Sequence, residues 1–294
     1  MEMFLSKAAD LLEGQKMFQI LAKAKAMEKA GREIIHFEIG DPDFTTPKNI
    51  IEACKNSLNK GETHYSTSAG LEEFREAAAN LTEKSRGFRP SIDQILVTPG
   101  GNVQIFYALA CTVNPGEEVI VIDPAFVSYN AIMKFLGIIP VKVPLQESNE
   151  FRLDPNDVKK MITKKTRMII INSPHNPTGA VMKESEIKEI YDLAEKFNLY
   201  LLSDEVYGRM VYEDSDTKFH SPTKFDFCEK RTILVHSFSK SYAMTGWRIG
   251  GVTAPKKLVE KMALVLETTT SCVSPFIQNA AIEEMIGSQN EITK

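Results

Sequence analysis

From residue 94 onward the chain alternates short apolar runs with longer amphipathic ones. The short runs are QILVT (94–98), EVIVI (118–122), IIPVKV (138–143), RMIII (167–171), LYLLS (199–203), TILVH (232–236) and RIGGVT (248–253). Helical stretches near 101–113, 126–136, 155–163, 183–197 and 255–267 separate most of them, and PFIQNAAIEEMIG (275–287) reads as one more. Upstream, residues 16–30 favour a helix ended by Gly31, and EIIHFEI (33–39) reads as a strand or an extended entry. Thr46-Pro47 opens a helix with Ile50, Ile51, Cys54 and Leu58 on one face, and Leu71, Phe74, Ala78 and Leu81 mark another. Strands that alternate with helices predict crossover connections. The expected fold class is therefore α/β: a three-layer α/β/α domain whose mostly parallel seven-stranded sheet is covered on both faces.

Composition narrows the function classes. At 294 residues, 43% hydrophobic and 25% charged, the chain can bury a sizeable core. A net charge of -4 leaves no electrostatic footprint for nucleic acid or an anionic membrane, so the basic residues are better suited to a small anion. Cys54, Cys111, Cys228 and Cys272 lie far apart with no metal-ligand spacing, and none of the five histidines has one either, so no metal site is expected. The cysteines read as reduced thiols. The N-terminus lacks the uninterrupted apolar stretch of a signal peptide, and no run approaches the length that crosses a bilayer. The expected compartment is the cytoplasm.

Chemistry concentrates where strands end. Ligands of open α/β sheets bind at the carboxyl ends of the strands, and here those ends carry PGGN (99–102), DPAF (123–126), NSPHNPTG (172–179), DEVYG (204–208) and SFSK (237–240). A lysine, a carboxylate, an amide, a tyrosine and an aromatic ring would share one crevice. Pyridoxal phosphate needs that set: an amine for its aldehyde, a carboxylate for its ring nitrogen, a flat apolar face, and cations, hydroxyls and a helix N-terminus for its phosphate.

The string SFSKSYAMTGWRIG (237–250), with NSPHNPTG and LLSDEVYG, resembles the lysine signature and cofactor motifs of the class I, aspartate aminotransferase-like, pyridoxal-phosphate-dependent aminotransferases of fold type I, and the resemblance runs from about Gly40 to beyond Gly251. It implies that Lys240 is the Schiff-base residue and the base that moves the substrate's Cα proton. By the same resemblance Ser237 and Arg248 hold the phosphate with the Gly101 and Asn102 amides, and Asp204 pairs with the ring nitrogen. Asn176 and Tyr207 bind the phenolic oxygen, with Asn176 also facing substrate; Phe126 stacks on the ring, and Gly40 lies near the substrate carboxylate. Tyr65, in THYSTSAG, looks like the tyrosine lent to the neighbouring subunit's phosphate, which implies a homodimer with shared active sites. The implied reaction moves an amino group between an L-amino acid and a 2-oxo acid with ping-pong kinetics.

The chain departs from the family in one respect. Members continue into a C-terminal segment that completes a smaller domain with the N-terminal residues and carries the arginine gripping the substrate's α-carboxylate, whereas no arginine follows Arg248 here. The expected organisation is an N-terminal arm and partial small domain (1–45), a large cofactor-binding domain (46–287) and the start of a truncated C-terminal segment (288–294), with helix 16–30 short of its usual packing partner. Alternatives are a cofactor-binding module or fragment with impaired catalysis, and a lyase on the same cofactor cradle. Ser237-Phe238-Ser239-Lys240 also satisfies the S-x-x-K pattern of serine acyl-enzymes, but the S-D-N and K-T-G elements that accompany it are absent.

Overall fold

The computed structural model describes residues 3–12 and 14–289. In chain order its elements are α1 (Lys7–Asp10), α2 (Lys16–Lys29), α3 (Lys48–Asn59), α4 (Glu72–Arg86), β1 (Ile95–Thr98), α5 (Asn102–Thr112), β2 (Glu118–Asp123), α6 (Val127–Phe135), β3 (Ile139–Pro144), α7 (Pro155–Met161), β4 (Thr166–Asn172), α8 (Glu184–Lys196), β5 (Tyr200–Asp204), β6 (Thr232–Ser237), β7 (Gly250–Thr253), α9 (Lys256–Thr270) and α10 (Pro275–Ile286). All seven apolar runs form strands of one sheet, in the order β1-β7-β6-β5-β4-β2-β3. Six strands share a direction; β7 alone runs against both its neighbours, β1 and β6. The chain between β6 and β7 has no crossover helix, so it returns to the sheet at the rim it left.

Side-chain alternation along the strands supplies two cores. Val119 and Val121 of β2 face one side with Leu202, Val235, and α5, α6 and α9, whereas Ile120 and Ile122 face the other with Ile169, Ile171, Leu201, and α7 and α8. Sheets buried on both faces read as continuous apolar runs, which is why the strands were legible. A third cluster joins Ile50 of α3, Phe74 of α4 and Ala280, Ala281 and Met285 of α10 to Val97 and Phe238. Each fully buried Ile, Val or Phe side chain among them contributes about 1.5–3 kcal/mol through removal from water.

Three details bear on the sequence pattern. Segment 33–39 forms neither strand nor helix and bends at 38–39; Ile35 and Phe37 are 81% and 91% exposed. On α3 the buried face holds Ile50 and Ser57, while Leu58 is 44% exposed, because Ser57 is bonded to Glu62 and to Asn279 of α10. Helix α2 buries only Ala24 and leaves Phe18 and Ile20 each 54% exposed. Residues 1, 2, 13 and 290–294, parts of the expected arm and C-terminal segment, lie outside the described residues.

Helix α10 carries a polar misfit with a measurable effect. Glu284 is 1% exposed, neither carboxyl oxygen has a hydrogen-bond partner among the described residues, and burial pushes its proton affinity up to about 9 from 4.5, with the Arg209 charge only partly opposing this. Folding therefore binds a proton between pH 4.5 and about 9, so stability is full below the lower value and declines as pH rises to the upper one. Glu284→Gln removes that decline, for an expected gain on the order of 3 kcal/mol at pH 7. Denaturant midpoints of both proteins between pH 5 and 9 check this; parallel pH profiles would contradict it.

Candidate active site

Because six strands are parallel and β7 begins where they end, the termini of β1, β2, β4, β5 and β6 share one rim with Arg248, two residues before β7. The register fixes neighbours there: Asn172 lies opposite Asp204, Asp204 opposite Val235, and Ser237 opposite Gly250.

Asp204 closes β5 and is 5% exposed. The Tyr129 hydroxyl, on α6, donates to its Oδ2 at 2.6 Å, and the Val206 amide donates to Oδ1 at 3.3 Å. Burial raises the carboxyl to about 6, and these two donors work against that rise by favouring the charged form. Asn172 fixes the neighbouring loop: its Nδ2 donates to the Asp204 carbonyl at 2.9 Å while its Oδ1 accepts the Asn176 amide at 2.8 Å. Asn176 Nδ2 in turn donates to the Tyr207 hydroxyl at 3.4 Å, and burial together with the Asp204 charge raises the Tyr207 phenol. Phe126, at the N-cap of α6, meets Tyr129 edge-on at 5.6 Å.

The adjacent Glu205 turns the opposite way, as strand alternation requires, and is held by the Arg86 guanidinium at 2.9 and 2.7 Å and by the hydroxyls of Ser203 (3.0 Å) and Ser221 (2.5 Å). Arg86 is the last residue of α4. Gly87, at φ +77°, ends that helix in the left-handed region open to glycine and so brings the guanidinium to β5. The two acidic residues thus divide: one faces the crevice and the other anchors the fold.

The turn after β1 builds an anion cradle. Gly100 has φ +87°, and a Cβ there would land inside the Arg248 guanidinium; a Cβ on Gly101 would lie 3.1 Å from that of Ser237. Gly101 caps α5 with no side-chain bond, leaving that helix N-terminus to a ligand. Ser237 Oγ donates to Ser239 Oγ at 3.0 Å and accepts the Ser239 amide at 3.2 Å, and Arg248 Nη1 donates to the Thr245 carbonyl at 2.7 Å. A helix N-terminus, hydroxyls and a guanidinium in van der Waals contact suit a dianion.

Lys240 is half-buried, and its ammonium donates to the Gly40 carbonyl. Burial lowers its proton affinity and the Arg248 charge adds to this, with Asp41 opposing. Tyr65 stands apart, 87% exposed in a shallow hollow with Ser66, Thr67, Ser68, Glu267 and Ser271. The structure therefore groups Asp204, Asn176, Tyr207 and Phe126, then Gly101, Asn102, Ser237 and Arg248, then Lys240 and Gly40, and separates Tyr65 from them. Sequence reasoning missed Tyr129 and the positioning amide of Asn172. Tyr129 sits three residues beyond Phe126, one helical turn on the same face, which was the available signal. Among the described residues no group of His, Cys, Asp and Glu is placed to hold a metal ion, and no helix is long and apolar enough to cross a membrane.

The family model for aminotransferase class I and II matches residues 32–293. The chain is 40% identical over 282 residues to the aspartate aminotransferase of Pyrococcus horikoshii, covering 96% of this chain and 70% of that protein. It is 41% identical over 284 residues to the aromatic-amino-acid aminotransferase 2 of Thermococcus litoralis, covering 96% and 72%. The solved aspartate aminotransferase of Thermus thermophilus with maleate superimposes with a TM-score of 0.94 at 32% identity, over 99% of this chain and 75% of that one. With fold and sequence agreeing over nearly its whole length, the chain belongs to the class I and II aminotransferases, pyridoxal-phosphate-dependent transaminases of fold type I.

Proposed function

We propose that this chain carries out amino transfer between an L-amino acid of the aspartate type and a 2-oxo acid, with Lys240 as its central group. The observation that carries this reading is the meeting, at one rim, of a half-buried lysine amine, a fully buried carboxylate and an anion cradle. Aspartate as amino donor is suggested by the names of the relatives. Bound in this crevice, pyridoxal phosphate supplies an aldehyde that takes up the amino group and a pyridinium ring that draws electron density from the substrate's α-carbon.

The residues fit that cofactor. The phosphate suits the cradle of Gly101 and Asn102 amides, Ser237 and Arg248. Asp204 holds a proton on the ring nitrogen; its Tyr129 and Val206 donors favour the ionised form that role requires. Asn176 and Tyr207 would donate to the ring's phenolic oxygen, and Phe126 would cover one ring face. Lys240 Nζ, its proton affinity lowered by burial, takes up the Cα proton and returns it during each half-reaction. Gly40, already against Nζ, would lie beside the substrate carboxylate.

Tyr65 is assigned to the phosphate of a second copy, so the working species is a homodimer with shared sites; exposed Tyr65 and Phe44 (79%) are consistent with a surface that a partner covers. Light scattering should give twice 32.9 kDa. The four free cysteines suit a reducing compartment, the cytoplasm.

The direct test is borohydride reduction of the protein with pyridoxal phosphate followed by peptide mapping: the label is expected on Lys240. Initial rates with varied aspartate and 2-oxo acid should give parallel double-reciprocal lines. A label on another lysine would overturn the assignment.

A further inference from the structure

We infer that Gln104 is a positioning residue that sets the spacing of the anion cradle from beneath, without touching the anion. The inference rests on the reading of that cradle as the phosphate site. Gln104 lies in the first turns of α5 and is fully buried, in a helix whose other buried residues are Ile105, Tyr107, Ala108 and Leu109. Its amide engages two strand ends at once. Nε2 donates to Thr98 Oγ1 at 2.8 Å and to the His236 carbonyl at 2.8 Å, while Oε1 accepts the His236 amide at 3.2 Å. The Thr98 hydroxyl passes the link onward, donating to the Gly100 carbonyl at 3.0 Å.

These contacts join the two walls of the cradle. On one side the chain runs from Gln104 through Thr98 to Gly100, against which Arg248 is packed; on the other it runs to His236, whose successor Ser237 lies against Gly101. The strand between them is β7, paired with β1 at Thr98 and with β6 at Ser237, both through Gly250. A Cβ at Gly250 would sit 2.7 Å from Gln104 Nε2 and 2.8 Å from the His236 carbonyl, so the glycine leaves the room through which the amide bridges β1 and β6. A buried amide satisfied by both strand ends resists the displacement of either, since moving one leaves a polar group unpaired out of reach of water. An apolar residue would serve the core equally well but would fix neither wall.

The test compares two ligands that differ by the phosphate alone. Gln104→Met keeps the volume and removes the hydrogen bonds. Binding of pyridoxal 5'-phosphate and of unphosphorylated pyridoxal is followed by absorbance titration, with circular dichroism and unfolding midpoints as folding controls. The variant is expected to bind the phosphorylated form about tenfold more weakly while binding pyridoxal as before. Thr98→Val, which removes the hydroxyl between Gln104 and Gly100, should shift the same ratio, and the double variant should add little beyond the larger single effect. If Gln104→Met does not fold, Thr98→Val carries the comparison alone. Equal weakening of both ligands, or no weakening of either, would overturn the positioning role. Wild-type protein that binds both ligands equally would overturn the cradle reading itself, which separates the two failures.

Discussion

On the proposed function, Lys240→Ala is expected to lower kcat by about 10⁴-fold, because one substitution removes the amine assigned both to join the cofactor and to move the Cα proton. Neither partner region should collapse. Asp204 keeps its Tyr129 and Val206 donors, and the cradle of Gly100, Gly101, Ser237 and Arg248 makes no use of the lysine side chain. The variant should therefore still fold and still bind pyridoxal phosphate through the cradle and Asp204, more weakly for want of the covalent link, with the larger loss in turnover. Initial rates beside a binding titration check this. Residual turnover within tenfold of wild type would place the proton transfer on another group.

The largest expected effect on stability belongs to Arg86→Met. The Arg86–Glu205 pair is buried, at 9% and 1% side-chain exposure, with two guanidinium nitrogens, Nε and Nη2, both on Oε2. Removing the guanidinium leaves a carboxylate deep in the protein with only the Ser203 and Ser221 hydroxyls to answer it, at a cost of about 3–5 kcal/mol. Removing both charges, as in Arg86→Met with Glu205→Met, should recover most of that loss, because the pair's attraction is largely offset by its desolvation. Urea unfolding of wild type, single and double variants tests the claim; a double variant as unstable as the single would show that the pair itself, rather than the orphaned charge, was the source. Glu205 also follows Asp204 directly, so the single variant should disturb the site as well as the fold.

Much of this architecture was legible because its signals are local. Buried strands such as RMIII and TILVH declare themselves through unbroken apolar runs, and their chemistry follows at once in the next few residues. The direction of β7 was not legible: RIGGVT reads the same whichever way it runs, and the reversal is decided by the absence of a crossover helix between residues 237 and 250. Segment 33–39 shows where the pattern leaves two outcomes open. Its alternation suits a strand, yet a strand needs an edge to pair with, and here none is offered to Ile35 or Phe37. In the site, Lys240, Asp204, Asn176 and Arg248 were readable from motifs at strand ends. Tyr129, Asn172 and Gln104 were not, because their roles depend on which way α6, β4 and α5 turn a side chain toward a neighbour distant in sequence. The paired acids at 204 and 205 could be counted from the sequence, but their division of labour needed Arg86, more than a hundred residues away.

The reversal of β7 has a consequence for how the molecule assembles. Had that strand run with its neighbours, Arg248 would have entered at the opposite edge, about 13 Å away across a four-residue strand. Instead, a single short closure carries the amine at 240 and the guanidinium at 248 near enough to sense each other, so this pair of cations arises from a contact of low sequence separation. It can take shape as soon as two consecutive strands zip together, ahead of the distant crossovers that bring the carboxylate and the phenols to meet it.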